Sequence, residues 1–138
     1  MPRVFLDTNI LAYDLDAGSP DKQRKVREAL ARPDHDFVIS TQVLLELYVV
    51  ITRKLRPALP EKAAAEVIGS LCRLPVVGTD AELVQRAIAL SVRHQLSVWD
   101  ALIVTAAREA GCEELWTEDL ATGAQLRGVR IVNPLEPS

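Results

Sequence analysis

Short apolar runs alternate with longer segments of helical pattern along this chain, and that alternation is its tightest constraint. Residues 3–6, 37–39, 75–77, 114–116 and 129–132 read as strands. Such short runs, separated by helices, imply a parallel sheet covered on both faces. The helices announce their starts. Ser19-Pro20-Asp21 places a capping residue before a proline at the first helical position, and Ser40 caps a second helix. Pro60 starts a third. Thr79-x-x-Glu82 and Ser97-x-x-Asp100 read as capping boxes for two more, the last ending at Gly111. In parallel sheets ligands bind beyond the carboxyl ends of the strands. Asp7, Ser40 and the Thr117–Asp119 segment all fall at such ends.

The 138 residues suit a single domain spanning residues 1–138, with no repeats, low-complexity tracts or linkers. Hydrophobic residues at 49% and charged ones at 25% match a globular protein. Met1-Pro2-Arg3 runs straight into the first strand, so no secretory leader is expected. The apolar run at 43–51 is interrupted by Glu46 and falls far short of the ~20 residues a bilayer needs. Cys72 and Cys112 lack CxxC spacing, which suits reduced packing cysteines and a cytoplasmic setting. The net charge of −3 and pI near 5.4 argue against uniform phosphate binding, unless acids and bases are segregated.

Segregation is what the acids suggest. Glu46 is the one charge in Val-Leu-Leu-Glu-Leu-Tyr-Val-Val-Ile, and Asp100 the one charge in Val-Trp-Asp-Ala-Leu-Ile-Val. Asp7 ends the first strand, and Asp119 follows a later one. A carboxylate taken out of water costs several kcal/mol unless something compensates it. No Lys, Arg or His lies within four residues of Glu46, and the first base after Asp100 is Arg108. An external cation fits better. Several carboxylates in one crevice are compatible with a hard ion such as Mg²⁺ or Mn²⁺. His35 and His94 are isolated and expected to face solvent, which leaves no zinc ligand set. Each acid also has a bland reading: Asp7 as a helix cap, Asp100 as half of a capping box, Asp119 as a loop acid. Glu46 has no such local role.

At these residues the chain resembles the PIN-domain ribonucleases, and specifically the VapC-type toxins of bacterial toxin–antitoxin pairs. Four pieces carry the resemblance in order: Val-Phe-Leu-Asp7-Thr-Asn9-Ile-Leu, Ser40-Thr-Gln-Val-Leu-Leu-Glu46, Trp99-Asp100-Ala-Leu-Ile, and Trp116-Thr117-Glu-Asp119-Leu. It implies a three-layer α/β/α, Rossmann-like fold with about five parallel strands. It implies a Mg²⁺ or Mn²⁺ site with Asp7 and Asp100 as ligands, completed by Glu46 and Asp119. Asn9 and Thr117 would orient those ligands, or serve as caps. The implied activity is RNA hydrolysis leaving a 5′-phosphate and a 3′-hydroxyl. Implied partners are an RNA substrate, a VapB-type antitoxin that lays an arginine near the acidic pocket, and a second copy in a homodimer.

An acidic site that acts on RNA needs bases nearby. Candidates are Lys22, Arg24, Lys25 and Arg27 on an early helix, and Arg53, Lys54 and Arg56 after the Glu46 helix. Either cluster also reads as an ordinary solvated face. Trp99 is expected to pack against the sheet. A haloacid-dehalogenase-type phosphatase would need a second Asp where Asn9 stands, and a dinucleotide-binding protein would need glycines after the first strand. The alternative is a catalytically inert PIN-like module that binds RNA or metal.

Overall fold

The computed structural model describes residues 1–137. Strand β1 (Arg3–Leu6) occupies the middle of a six-stranded sheet of order β3-β2-β1-β4-β6-β5. Its Val4, Phe5 and Leu6 are essentially inaccessible, as a strand covered on both faces requires. β2 (Asp36–Ser40), β3 (Val76–Val77), β4 (Glu114–Trp116) and β6 (Val129–Val132) run parallel to it. These are the five expected strands. The sixth, β5 (Gln125–Leu126), pairs antiparallel with β6 at the edge and makes the sheet mixed.

Six helices complete the three layers. α1 (Thr8–Asp14) packs on α2 (Pro20–Leu30) and α3 (Thr41–Arg53), and α3 on α4 (Glu61–Leu71). α5 (Ala81–His94) packs on α6 (Val98–Glu109), and α6 reaches β2, β4 and β6. α6 buries seven consecutive residues, Ala101–Ala107, and stops where Gly111 takes the left-handed φ of 71°. No helix among the described residues is long and apolar enough to cross a membrane.

Four local features differ from what the sequence alone leads one to expect. Asp80, not Thr79, caps α5, accepting from the Leu83 amide at 2.8 Å; the Thr79 hydroxyl is taken by Thr41 at 2.8 Å. His35 does not face solvent but stacks on Phe37 and tilts against Trp116, centroids 6.2 and 5.5 Å away. Trp99 does not pack on the sheet; it is 65% exposed. Cys112 is a buried packing cysteine whose thiol burial pushes up to about 11, whereas Cys72 is exposed.

Candidate functional site

β1 delivers Asp7 to the carboxyl edge of the sheet, where its amide still bonds to the Trp116 carbonyl of β4 at 3.1 Å. The backbone is therefore fixed by the ladder, and the side chain turns to cap α1. Its Oδ1 accepts from the Thr8 amide at 2.7 Å, and its Oδ2 from the Thr117 hydroxyl at 2.8 Å. Asp7 is buried, and burial pushes its carboxyl from the ordinary 3.8 up to about 6. The two hydrogen bonds oppose that rise, and the charges of Asp119 and Glu46 add to it. No Lys or Arg lines the cleft into which it faces.

That cleft has a volume of about 380 Å³ and is lined by Asp7, Glu46, Asp119 and Asp16 together with Ala12, Val50 and Leu55. α3 presents Glu46, whose carboxylate accepts from Gln42 one turn earlier and from the Thr8 hydroxyl at 3.3 Å. Asp119 sits in the loop after β4. Asn9 donates to its Oδ2 at 3.0 Å, and its own amide donates to Thr117 Oγ1 at 3.1 Å. Thr117, fully buried, thus links two acids: it donates to Asp7 and accepts from the Asp119 backbone. Asn9 also accepts from the Glu118 amide at 3.4 Å, which ties α1 to the β4 loop.

The structure brings Asp7, Glu46 and Asp119 to one cleft and leaves Asp100 outside its lining. Asp100 lies in the first turn of α6, where its amide donates to Ser97 Oγ at 3.1 Å. Its carboxylate has no hydrogen-bond or ion-pair partner among the described residues. Arg53, Lys54 and Arg56 are exposed and flank Leu55, which lines the cleft, but none of the three is itself in the lining. The α2 bases divide: Arg24 pairs with Asp21 and Glu28, Arg27 with Asp14, and Lys22 reaches Tyr13 and Glu118.

Sequence reasoning passed over Thr8, Gln42 and Tyr13. The i,i+4 spacing of Gln42 and Glu46 was readable. The Tyr13 hydroxyl donating to Glu118 at 2.7 Å spans 105 positions and had no local signal.

The chemistry of the donors suits a hard dication. The cleft offers carboxylate and hydroxyl oxygens and neither His nor Cys, and its buried acid is opposed by charges of its own sign. Among the described residues no group of three or more acids, His or Cys stands close enough together to hold a metal ion by itself. An open arrangement of few protein ligands is what magnesium commonly uses, the remainder being water and phosphate.

No curated protein matches the chain. Solved structures do. A toxin–antitoxin complex from Klebsiella pneumoniae is 25% identical, covers 95% of this chain and 97% of its own, and superposes with a TM-score of 0.69. VapC20 of Mycobacterium tuberculosis, a toxin that cleaves the sarcin–ricin loop, is 24% identical over 81% of this chain and 86% of its own, TM-score 0.61. VapBC2 of Rickettsia felis, bound to promoter DNA, is 20% identical over 94% and 96%, TM-score 0.63. The family model for the PIN domain matches residues 4–122, most of the chain, and this protein belongs to the PIN-domain family.

Proposed function

We propose that this chain is a Mg²⁺- or Mn²⁺-dependent endoribonuclease, the toxin of a VapC-type toxin–antitoxin pair. One observation carries the reading: a buried Asp7 held only by neutral donors, with Glu46 and Asp119 beside it and no basic side chain in the cleft. Membership of the PIN-domain family and likeness to the Klebsiella toxin–antitoxin complex support it.

Asp7 and Asp100 are the proposed principal ligands, with Glu46 and Asp119 completing the site. Once bound, the cation supplies charge neutralisation and Lewis acidity at the phosphate. The protein supplies orientation. Thr8 and Thr117 fix both oxygens of Asp7, Gln42 and Thr8 fix Glu46, and Asn9 occupies Asp119 Oδ2. Asp119 Oδ1 stays available to accept a proton from the water that attacks phosphorus, with Glu46 as the other candidate base. Arg53, Lys54 and Arg56, exposed next to the cleft residue Leu55 in sequence, would hold the RNA backbone.

The apolar wall of Ala12, Val50 and Leu55 beside the acids fits an antitoxin segment that carries an arginine between apolar side chains. On α3, Leu45 and Val49 lie one turn apart and are 72% and 43% exposed, which suits contact with a second copy of the chain. The setting is cytoplasmic in this reading.

The test uses purified protein free of antitoxin and total cellular RNA, with Mg²⁺, Mn²⁺ or EDTA. Cleavage should require the metal and be lost in folded Asp7→Asn and Asp100→Asn variants, with mapped ends carrying 5′-phosphates. Cleavage that persists in EDTA would remove the carboxylate site from the argument. The second reading is an inert RNA- or metal-binding module. Metal binding without cleavage of any RNA would establish that module instead.

A further inference from the structure

A second cavity, of about 540 Å³, opens between α5 and α6 and has the opposite charge character. Arg86 and Arg93 come from α5, Arg108 from α6 and Arg127 from the turn between β5 and β6, with Glu109 the one acid in the lining. Leu90 and Val104 make an apolar floor. Arg86 is committed to Glu82 and Glu109. Arg93, Arg108 and Arg127 have no carboxylate within ion-pair distance among the described residues. Three guanidinium groups therefore share one concavity with little internal compensation, in a chain whose net charge is −3.

The location separates this cavity from the carboxylate cleft. Arg127 precedes β6, which runs parallel to β4, so it lies at the amino edge of the sheet; Asp7 and Thr117 lie at the carboxyl edge. Arg108 is eight residues beyond Asp100 on α6, about 12 Å along the axis. Arg127 is also held at a cost. Its φ is 55° and that of Gly128 is 84°, a two-residue hairpin turn whose first position favours Asn, Asp or Gly. A long L side chain is disfavoured in that region.

We propose that this cavity binds a compact oligophosphate, through Arg93, Arg108 and Arg127. Guanidinium forks match phosphate oxygens in pairs, and several of them around one cavity suit a chain of linked phosphoryl groups better than a single monoanion. The volume lies within the ~300–1,000 Å³ of small-molecule sites. The same chemistry is offered by inorganic tripolyphosphate and by the phosphate chain of a nucleoside triphosphate. The site is independent of nuclease activity.

Isothermal titration in EDTA tests it, with sodium tripolyphosphate, ATP, and sulfate at matched ionic strength as ligands. Saturable one-to-one binding of tripolyphosphate is expected, with sulfate far weaker. Arg93→Gln and Arg108→Gln should each weaken it about tenfold. Equal affinity for ATP and tripolyphosphate identifies the phosphate chain alone as the ligand; tighter ATP binding identifies a nucleotide. Arg127→Asn separates binding from folding, because Asn suits the turn: its Tm should hold or rise while its affinity falls. Absence of saturable binding, or equal affinity in all three variants, overturns the proposal. Binding of a single-stranded RNA that tripolyphosphate does not displace overturns it too, and makes the cavity an RNA track.

Discussion

Replacing Asp7 with Asn in metal-free protein should stabilise the fold at neutral pH and lose that advantage in acid. In the fold the carboxyl is displaced from its ordinary 3.8 to about 6, chiefly by burial. Below the lower value both folded and unfolded chains are protonated, and no charge penalty exists. Between about pH 4 and pH 6 the unfolded chain has released a proton that the fold retains, so stability falls as pH rises. Above the folded value the penalty is complete. At ~1.4 kcal/mol per tenfold change in proton affinity, the displacement amounts to about 3 kcal/mol. Asn keeps the shape but turns an N–H toward Thr117 Oγ1, which already accepts from the Asp119 amide at 3.1 Å. The Thr117 hydroxyl then loses its acceptor, at about 1 kcal/mol. The net expectation is a gain of about 2 kcal/mol near pH 7.5 that reverses to a loss of about 1 near pH 4. Urea unfolding in EDTA, followed by circular dichroism across that range, reads the difference directly. A difference between the two proteins that stays flat with pH would refute the reasoning, since Asp7 would then titrate alike in both states. Adding Mg²⁺ at about ten times its dissociation constant should stabilise the wild type by about 1.4 kcal/mol and the variant by less.

Thr117→Val removes the hydroxyl that donates to Asp7, and should cost about 2 kcal/mol at neutral pH and less in acid, where Asp7 is protonated; an equal loss at both ends of the pH range would assign Thr117 a packing role alone. Asp80→Ala should cost about 1 kcal/mol and speed hydrogen exchange at the Leu83 amide, because Asp80 caps α5. Charging the exposed α3 face with Leu45→Lys and Val49→Lys should shift sedimentation to the monomer mass without changing the helical signal; an unaltered mass would remove that face from the proposed dimer. Changing Arg53, Lys54 and Arg56 together to Ala should lower the slope of log affinity against log salt for single-stranded RNA by about 2. An unchanged slope would take the cluster off the RNA path.

The parallel part of the sheet was legible because each strand is a short apolar run and the helices between them begin at Ser40, Ser97 and Pro20. β5 was not: Gln125 and Leu126 are two residues whose pairing depends on the turn at Arg127 and Gly128, not on their own pattern. The cap of α5 failed for a similar reason. Thr79 had the right spacing to Glu82, but Thr41, 38 positions away, holds its hydroxyl, and Asp80 is the next residue able to reach Leu83. His35 and Trp99 went wrong together. An isolated histidine gave no hint of the ring stack with Phe37 and Trp116, and the helix start legible at Ser97 did not tell which way the indole two residues later would face.

The acids stood out in the sequence because a charge inside an apolar run is expensive, and the structure gives that expense a form. Asp7 is held by a backbone amide and a hydroxyl, dipoles that position a carboxylate without cancelling its charge. A lysine at hydrogen-bond distance would have done both. Lys22, which contacts the cleft residue Tyr13, is spent elsewhere: it donates to the Tyr13 hydroxyl at 3.1 Å and lies 4.0 Å from Glu118. Glu118 is next to Asp119 in sequence, yet it is Asp119 that lines the cleft with Asp7 and Glu46. Lys22 thus attends an acid of the surrounding loop and leaves the cleft acids uncompensated. Neutral donors fix their geometry while their charge stays available, which is the condition a cation-dependent phosphate chemistry requires of its protein. Spacing along the chain could place three carboxylates near strand ends, but the division between the acid that is paired and those that are not depends on α1, α2 and the β4 loop meeting in space.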